Sequence, residues 1–270
     1  MYSGSYIKLI IMLSIKHKIA ILICITSIGI IYVFSMKPIA QNNVYHHFSD
    51  TQAFFSIPNF WNVVSNIPFL IFGSMGILLV LKQFLIQRKT TLFLSNLFFF
   101  IGIFLTAIGS ACYHLHPTTQ TLMWDRLPMV ITFMSFFSII VSDYINATLG
   151  KYLVFPLISL GIVSVVYWNY TELIGVGDLR FYILIQFLPL LLIPLILLMF
   201  KIDNQYKLYY WAIIGVYIAA KLFESLDGQL LLLTHFVSGH TIKHFVASLA
   251  PLIYLNKLKS SSCEKLSINP

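Results

Sequence analysis

Three histidines, an aspartate and a serine stand at the ends of apolar stretches, where ionisable side chains are costly. Ser110 and His114 close one such stretch in Ser110-Ala-Cys-Tyr-His114. Their i, i+4 spacing puts both on one helix face. The same spacing recurs in His240-Thr-Ile-Lys-His244, which opens the last apolar stretch. Asp125 opens another in Trp124-Asp125-Arg126-Leu127-Pro128-Met129. Burying a charge in a membrane span costs about 2.5–3.5 kcal/mol on insertion scales, so each of these residues invites a functional reading. Three neutral imidazoles around an open fourth position are a recurrent shell for catalytic zinc. The metal lowers the pKa of bound water toward ~7, and a carboxylate that is not a ligand can take and return the proton. In that chemistry His114, His240 and His244 hold Zn2+, Asp125 moves the proton, and Ser110 holds the water or the developing oxyanion.

Each residue alone has a simpler reading. A histidine at a helix end is commonly an interfacial polar group, and a serine in a span often serves close helix packing. Asp125 beside Arg126 could be a surface ion pair or a helix N-terminal charge. A serine-nucleophile arrangement of Ser110 with His114 is the weaker chemical alternative, since no oxyanion donor is evident. What favours the metal reading is the combination at one depth.

The elements that must carry these residues are membrane helices. The 270-residue chain is 59% hydrophobic and only 10% charged, too few charges to build a water-facing shell. Crossing the hydrocarbon layer takes about 20 apolar residues. Runs of that kind fall at 18–36, 60–81, 91–113, 122–142, 152–168, 180–200, 208–224 and 240–256. The expected fold is all-α: a multi-pass membrane protein with a seven-helix transmembrane core and one extra N-terminal transmembrane helix. The division is an anchor helix and outer loop over 1–58, the seven-helix core over 59–256 and a cytoplasmic tail over 257–270. Lys16 and Lys18 precede the first run, but no small-x-small cleavage site follows it, so it reads as a retained anchor.

Positive charge orients the chain. With the N-terminus inside, Lys8, Lys16, Lys18, Lys82, Arg88, Lys89, Lys151, Lys201, Lys207, Lys257, Lys259 and Lys265 fall on the cytoplasmic side. Lys37, Arg126, Arg180, Lys221 and Lys243 fall outside, and both termini are expected in the cytoplasm. The net charge of +8 is therefore a topology signal; no nucleic acid is expected, because the bases are not clustered on one face. Cys24, Cys112 and Cys263 give neither a disulfide framework nor a thiolate metal site.

Four blocks resemble the alkaline ceramidase family, within the CREST superfamily of seven-helix membrane hydrolases. They are Asn59-Phe-Trp-Asn-Val-Val-Ser-Asn66, Ser110-x-x-x-His114, Asp125-Arg-Leu-Pro-Met129 and Gly239-His240-x-x-x-His244. The resemblance spans roughly 59–256 and is specific in combination. It implies zinc on His114, His240 and His244, with Asp125 and Ser110 positioning the zinc water. The implied reaction is hydrolysis of a ceramide-like amide to a fatty acid and a long-chain amine. The partner is then a membrane lipid substrate, with no protein partner expected, and the membrane is read as a bacterial plasma membrane. The family's acidic calcium stretch is not matched: Asn59 stands where a glutamate is expected and Asp50 is the lone acid upstream, so no calcium site is expected.

Other residues take plainer readings. Lys221, Glu224 and Asp227 read as helix-end charges, with support of a zinc histidine as the alternative. Asn62, Ser65 and Asn66 form a polar stripe suited to interhelical hydrogen bonds. Alternative functions are a seven-helix receptor or lipid-binding protein with a structural zinc, and a lipid ester hydrolase of the same superfamily. A metal transporter fits poorly, because the polar residues gather at one depth.

Overall fold

A computed structural model describes residues 13–87, 92–200 and 206–268, the side chains of 262–268 excepted. Lys8, Arg88, Lys89, Lys201 and Lys265 of the charge asymmetry, and the Cys263 side chain, lie outside the described residues. The chain is all-α. Its helices are α1 (Ile15–Ser35), α2 (Phe60–Val64), α3 (Ile67–Gln87), α4 (Phe93–Leu115), α5 (Thr119–Tyr144), α6 (Ala147–Leu173), α7 (Arg180–Met199), α8 (Lys207–Ser225), α9 (Asp227–Thr234) and α10 (Gly239–Ile268). A single 3₁₀ turn, Asn43–His46, interrupts the loop between α1 and α2.

The long helices sit where the apolar runs predict spans. Those reaching Ile15–Ser35, Phe60–Ile86, Phe93–Leu115, Thr119–Tyr144, Ala147–Leu173 and Arg180–Met199 are long and apolar enough to cross a membrane. The long helices α8 and α10 are more polar, because they carry Lys221, Glu224, His240, Lys243 and His244. The protein is an integral, multi-pass membrane protein. Many large apolar side chains face outward, among them Ile31, Leu78, Leu85 and Leu232. In water such exposure would be prohibitive, whereas lipid tails accept it.

Local chemistry sets the helix ends that matter. Pro68 has no N–H, which leaves the Val64 carbonyl without a helical donor, and the predicted 60–81 span breaks at Ser65–Asn66 into α2 and α3. Thr118 and Thr121 close a reciprocal capping box at the start of α5. Pro128 likewise deprives the Trp124 carbonyl of its partner four residues on. α4 presses against that carbonyl at Gly109, where a Cβ would come within 2.0 Å of it. Gly109 therefore has no substitute at this crossing, and the crossing lies beside both Ser110 and Asp125.

The helices pack in series, α3 on α4, α4 on α5, α5 on α6 and α6 on α7, with α10 joining α8 to α3. α1 rests on α7, and Arg180 holds the junction by donating to the Met36 carbonyl at 2.6 Å. The main core gathers Phe99, Phe100, Phe136 and Tyr254 at mid-depth. Toward the far end α10 runs on past residue 256 with no breaker to stop it. There Lys257 turns inward to Asp143 at 2.9 Å, and Tyr210 donates to the same carboxylate.

Candidate metal centre

His114 comes from the last turn of α4, and His240 and His244 from the first two turns of α10. One ligand atom from each lies within 4.8 Å of the others. All three side chains are buried, with 1%, 7% and 5% exposure. The Nε2 atoms of His114 and His240 face each other at 3.3 Å. The cluster is a group that could hold a metal ion.

Neighbouring groups fix the rings. The Ser65 hydroxyl sits 2.7 Å from His244 Nδ1, so the break between α2 and α3 leaves His244 Nε2 for a metal. Ser65 belongs to the polar stripe of Asn62, Ser65 and Asn66. Asn62 in turn accepts from the Thr241 hydroxyl at 2.8 Å, which registers α2 against α10. Asn59 donates to the His114 carbonyl at 2.8 Å and pins the end of α4.

Asp227 accepts from the His240 backbone N–H at 2.7 Å and from the Ser49 N–H at 2.9 Å. It caps α10 and ties the loop between α1 and α2 to it, rather than orienting an imidazole. Gly239 permits this junction, since a Cβ there would stand 2.2 Å from the Phe223 carbonyl.

Ser110 is buried on the same face as His114 and lies within hydrogen-bonding reach of the Asp125 carboxylate. Asp125 is half-buried, in the second turn of α5. Both line a cavity of about 520 Å³ that also reaches His244 and Lys243. From Asp125 the cavity descends past Phe99, Phe136 and Ile193 to Pro251. Asp125 and Phe136 are eleven residues apart on α5, a descent of roughly 16 Å at 1.5 Å per residue, about half the hydrocarbon thickness. Its walls are mostly apolar and its charged groups gather at the histidine end.

Several side chains at this end carry no motif of their own. Phe48, in the loop between α1 and α2, sets its ring 4.6 Å from both His114 and His240 and covers them. Glu224 bonds Lys243 at 3.0 Å and also pairs with Lys221. The Lys243 ammonium is 3.0 Å from His240 Nε2 and 3.4 Å from Nδ1. Lys221, Glu224 and Lys243 thus join two helices at the site, which is more than an isolated helix-end pair. Lys243 was legible only as an outer charge, because nothing in its spacing says which way its flexible stem turns.

His46 stands between the Tyr113 hydroxyl at 2.9 Å and the Thr119 hydroxyl at 3.0 Å. Both ring nitrogens are engaged, and burial with the nearby Arg126 charge holds its pKa below the usual value. His116 and His235 are exposed. Asp50 is fully buried, yet its oxygens accept from the backbone N–H groups of Gln52 at 3.1 Å and Asn62 at 3.3 Å. It fastens the loop to α2, and burial raises its pKa despite these bonds.

A family model described as Ceramidase matches residues 49–226, more than half of the chain. The matched stretch contains Ser110, His114 and Asp125 and ends before the His240 and His244 pair. No curated protein matches the chain.

Proposed function

The chain belongs to the Ceramidase family, and from that premise we propose that it is a zinc-dependent hydrolase cleaving the amide of a ceramide-like lipid within the membrane. Family membership makes it a lipid amide hydrolase embedded in its substrate's own solvent. The observation that carries the finer reading is the meeting of three buried imidazoles at the polar end of an apolar cavity. Two nitrogens each ~2.0–2.1 Å from a tetrahedral zinc stand roughly 3.3 Å apart, and the His114 and His240 Nε2 atoms are 3.3 Å apart. The donor set, three neutral nitrogens and no thiolate, suits zinc with a position left for substrate or water.

His114, His240 and His244 would hold the ion, which supplies Lewis acidity and a water of lowered pKa. Ser65 keeps His244 in the tautomer whose Nε2 is free. The apolar walls receive the acyl chain and set the amide carbonyl near Ser110. The Ser110 hydroxyl donates to the oxygen that gains charge. Asp125, in reach of Ser110, accepts the proton from the attacking water and returns it to the leaving nitrogen. Phe48 excludes bulk water from the imidazoles, which strengthens each electrostatic contact at the site.

The test is zinc content together with turnover of N-acyl lipids by the purified protein. His240→Ala should lose both metal and activity. Asp125→Asn should keep the metal and lose about 10²–10⁴ in kcat. Full loss of zinc from His240→Ala with turnover unchanged removes the reading.

A further inference from the structure

Tyr45 stands in the 3₁₀ turn between α1 and α2, ahead of the residues that the family model matches. It lines the same cavity as Ser110 and Asp125 and keeps 46% exposure. Among the described residues its hydroxyl makes no hydrogen bond. A tyrosine drawn into a protein interior usually finds a partner for its O–H.

The turn that carries Tyr45 is fixed from both sides. Asn42 caps it by accepting from the Val44 N–H at 2.9 Å. Ahead of the turn, the Gln41 N–H donates to the Glu172 carboxylate at 2.7 Å, which also accepts from the Trp168 indole at 3.0 Å. The Gln41 side-chain oxygen accepts from Arg126 Nη2 at 2.8 Å. Behind it, His46 is held by the Tyr113 and Thr119 hydroxyls. Arg126 is buried, with 6% exposure and Nη1 left without a partner. Its guanidinium lies 4.1 Å from the Trp168 ring centroid, 4.6 Å from that of Tyr182 and 5.7 Å from that of Tyr45. A cation within about 6 Å of a ring centroid attracts the ring, so the phenol is placed before any ligand arrives.

Neighbouring groups are already engaged. Glu224 is shared between Lys221 and Lys243, and Asp125 faces Ser110. Desolvation and then the Glu224 charge raise the Tyr45 pKa above the usual value, despite Arg126. Tyr45 therefore stays a neutral O–H, a donor open to a ligand. Its loop is the one that brings Phe48 onto the histidines, so the phenol belongs to the polar end of the cavity. With the acyl chain along the apolar walls and its carbonyl near Ser110, the portion joined through the amide nitrogen is left at that end.

Resting on the hydrolase reading above, we infer that Tyr45 is a substrate-binding residue, its hydroxyl donating to a hydroxyl carried beside the amide nitrogen of the lipid. The segment that follows the extra helix is then part of the substrate site, and α1, packed on α7, is its tether.

Tyr45→Phe in the full-length, zinc-loaded protein tests this, because it removes the hydroxyl and keeps the ring. Binding is measured for 2-O-hexadecylglycerol and hexadecyl isopropyl ether, a matched pair with and without hydroxyls and with no bond to hydrolyse. One hydrogen bond between neutral groups is worth about threefold to tenfold. Tyr45→Phe should lose that factor for the glycerol ether and nothing for the isopropyl ether. The same selective loss, mainly in KM, should appear for turnover of N-palmitoylserinol against N-isopropylpalmitamide. A loss shared equally by both ethers, as a merely structural role would give, overturns the inference, and so does no loss in either. Absence of turnover for both amides with the selective loss in the ethers intact would sink the hydrolase reading alone.

Discussion

His244 shows how far a single side chain depends on its neighbour. Its Nδ1 is held by the Ser65 hydroxyl at 2.7 Å, and such outer partners typically set metal affinity by 10–100-fold. Ser65→Ala is expected to weaken zinc binding by about that factor without unfolding the protein, as read by competition with a chelator and by the melting temperature of the metal-free form. Unchanged affinity would mean that Ser65 only packs. At this scale the motifs were legible because chemistry requires particular residue types at helical spacing: Ser110 with His114, His240 with His244, and Asp125 at a helix start. Phe48, the inward turn of Lys243 and the burial of Arg126 were not. Each reaches the site through a rotamer or a loop path, which spacing along the chain does not encode.

At the scale of elements, the site is made by two close crossings and one interruption. Gly109 lets α4 meet the Trp124 carbonyl of α5, and that contact sets Ser110 within reach of Asp125. Gly109→Val should therefore push α4 off α5. Overpacking of this kind costs about 1–3 kcal/mol, and the expected result is a lowered melting temperature and a fall in kcat with zinc retained. A valine variant with wild-type kcat would show that the crossing does not set the Ser110–Asp125 distance. The eight long helices were legible from apolar run length, whereas the break at Ser65–Asn66 was not drawn from Pro68 when the span was read as 60–81. Nor was the extension of α10 beyond 256: Lys257 reads as a tail charge until Asp143, more than a hundred residues earlier, is seen to receive it.

The whole molecule responds to pH through two groups of residues. On the proposed zinc chemistry the three imidazoles must be neutral to bind the metal, so acid should displace it and activity should fade. The fold has a separate acid limit at Asp178, in the loop between α6 and α7. Hydrogen bonds from Arg180 hold this carboxyl below the usual carboxylate range, and the Tyr167 hydroxyl adds to them. A carboxylate whose folded pKa is depressed contributes stability above its unfolded value, about 3.9, and loses it as pH falls through the lower folded value. On acidification, metal and turnover should go first and the melting temperature only below the ordinary carboxylate range. Asp178→Asn should flatten that second fall, and a melting curve unchanged from wild type in acid would remove Asp178 from the account.

By itself the sequence determined that this chain is a bundle of membrane helices carrying histidines, a serine and an aspartate at helical spacing near their ends. It could do so because apolar run length and i, i+4 spacing are local properties written in consecutive residues. Only the tertiary structure decided that His114 meets the His240 and His244 pair, that an apolar cavity ends at Asp125, and that Arg126 lies buried between rings with an N–H unspent. Those facts depend on how segments more than a hundred residues apart come together, and that is set by hydrogen bonds such as Ser65 with His244 and Thr241 with Asn62.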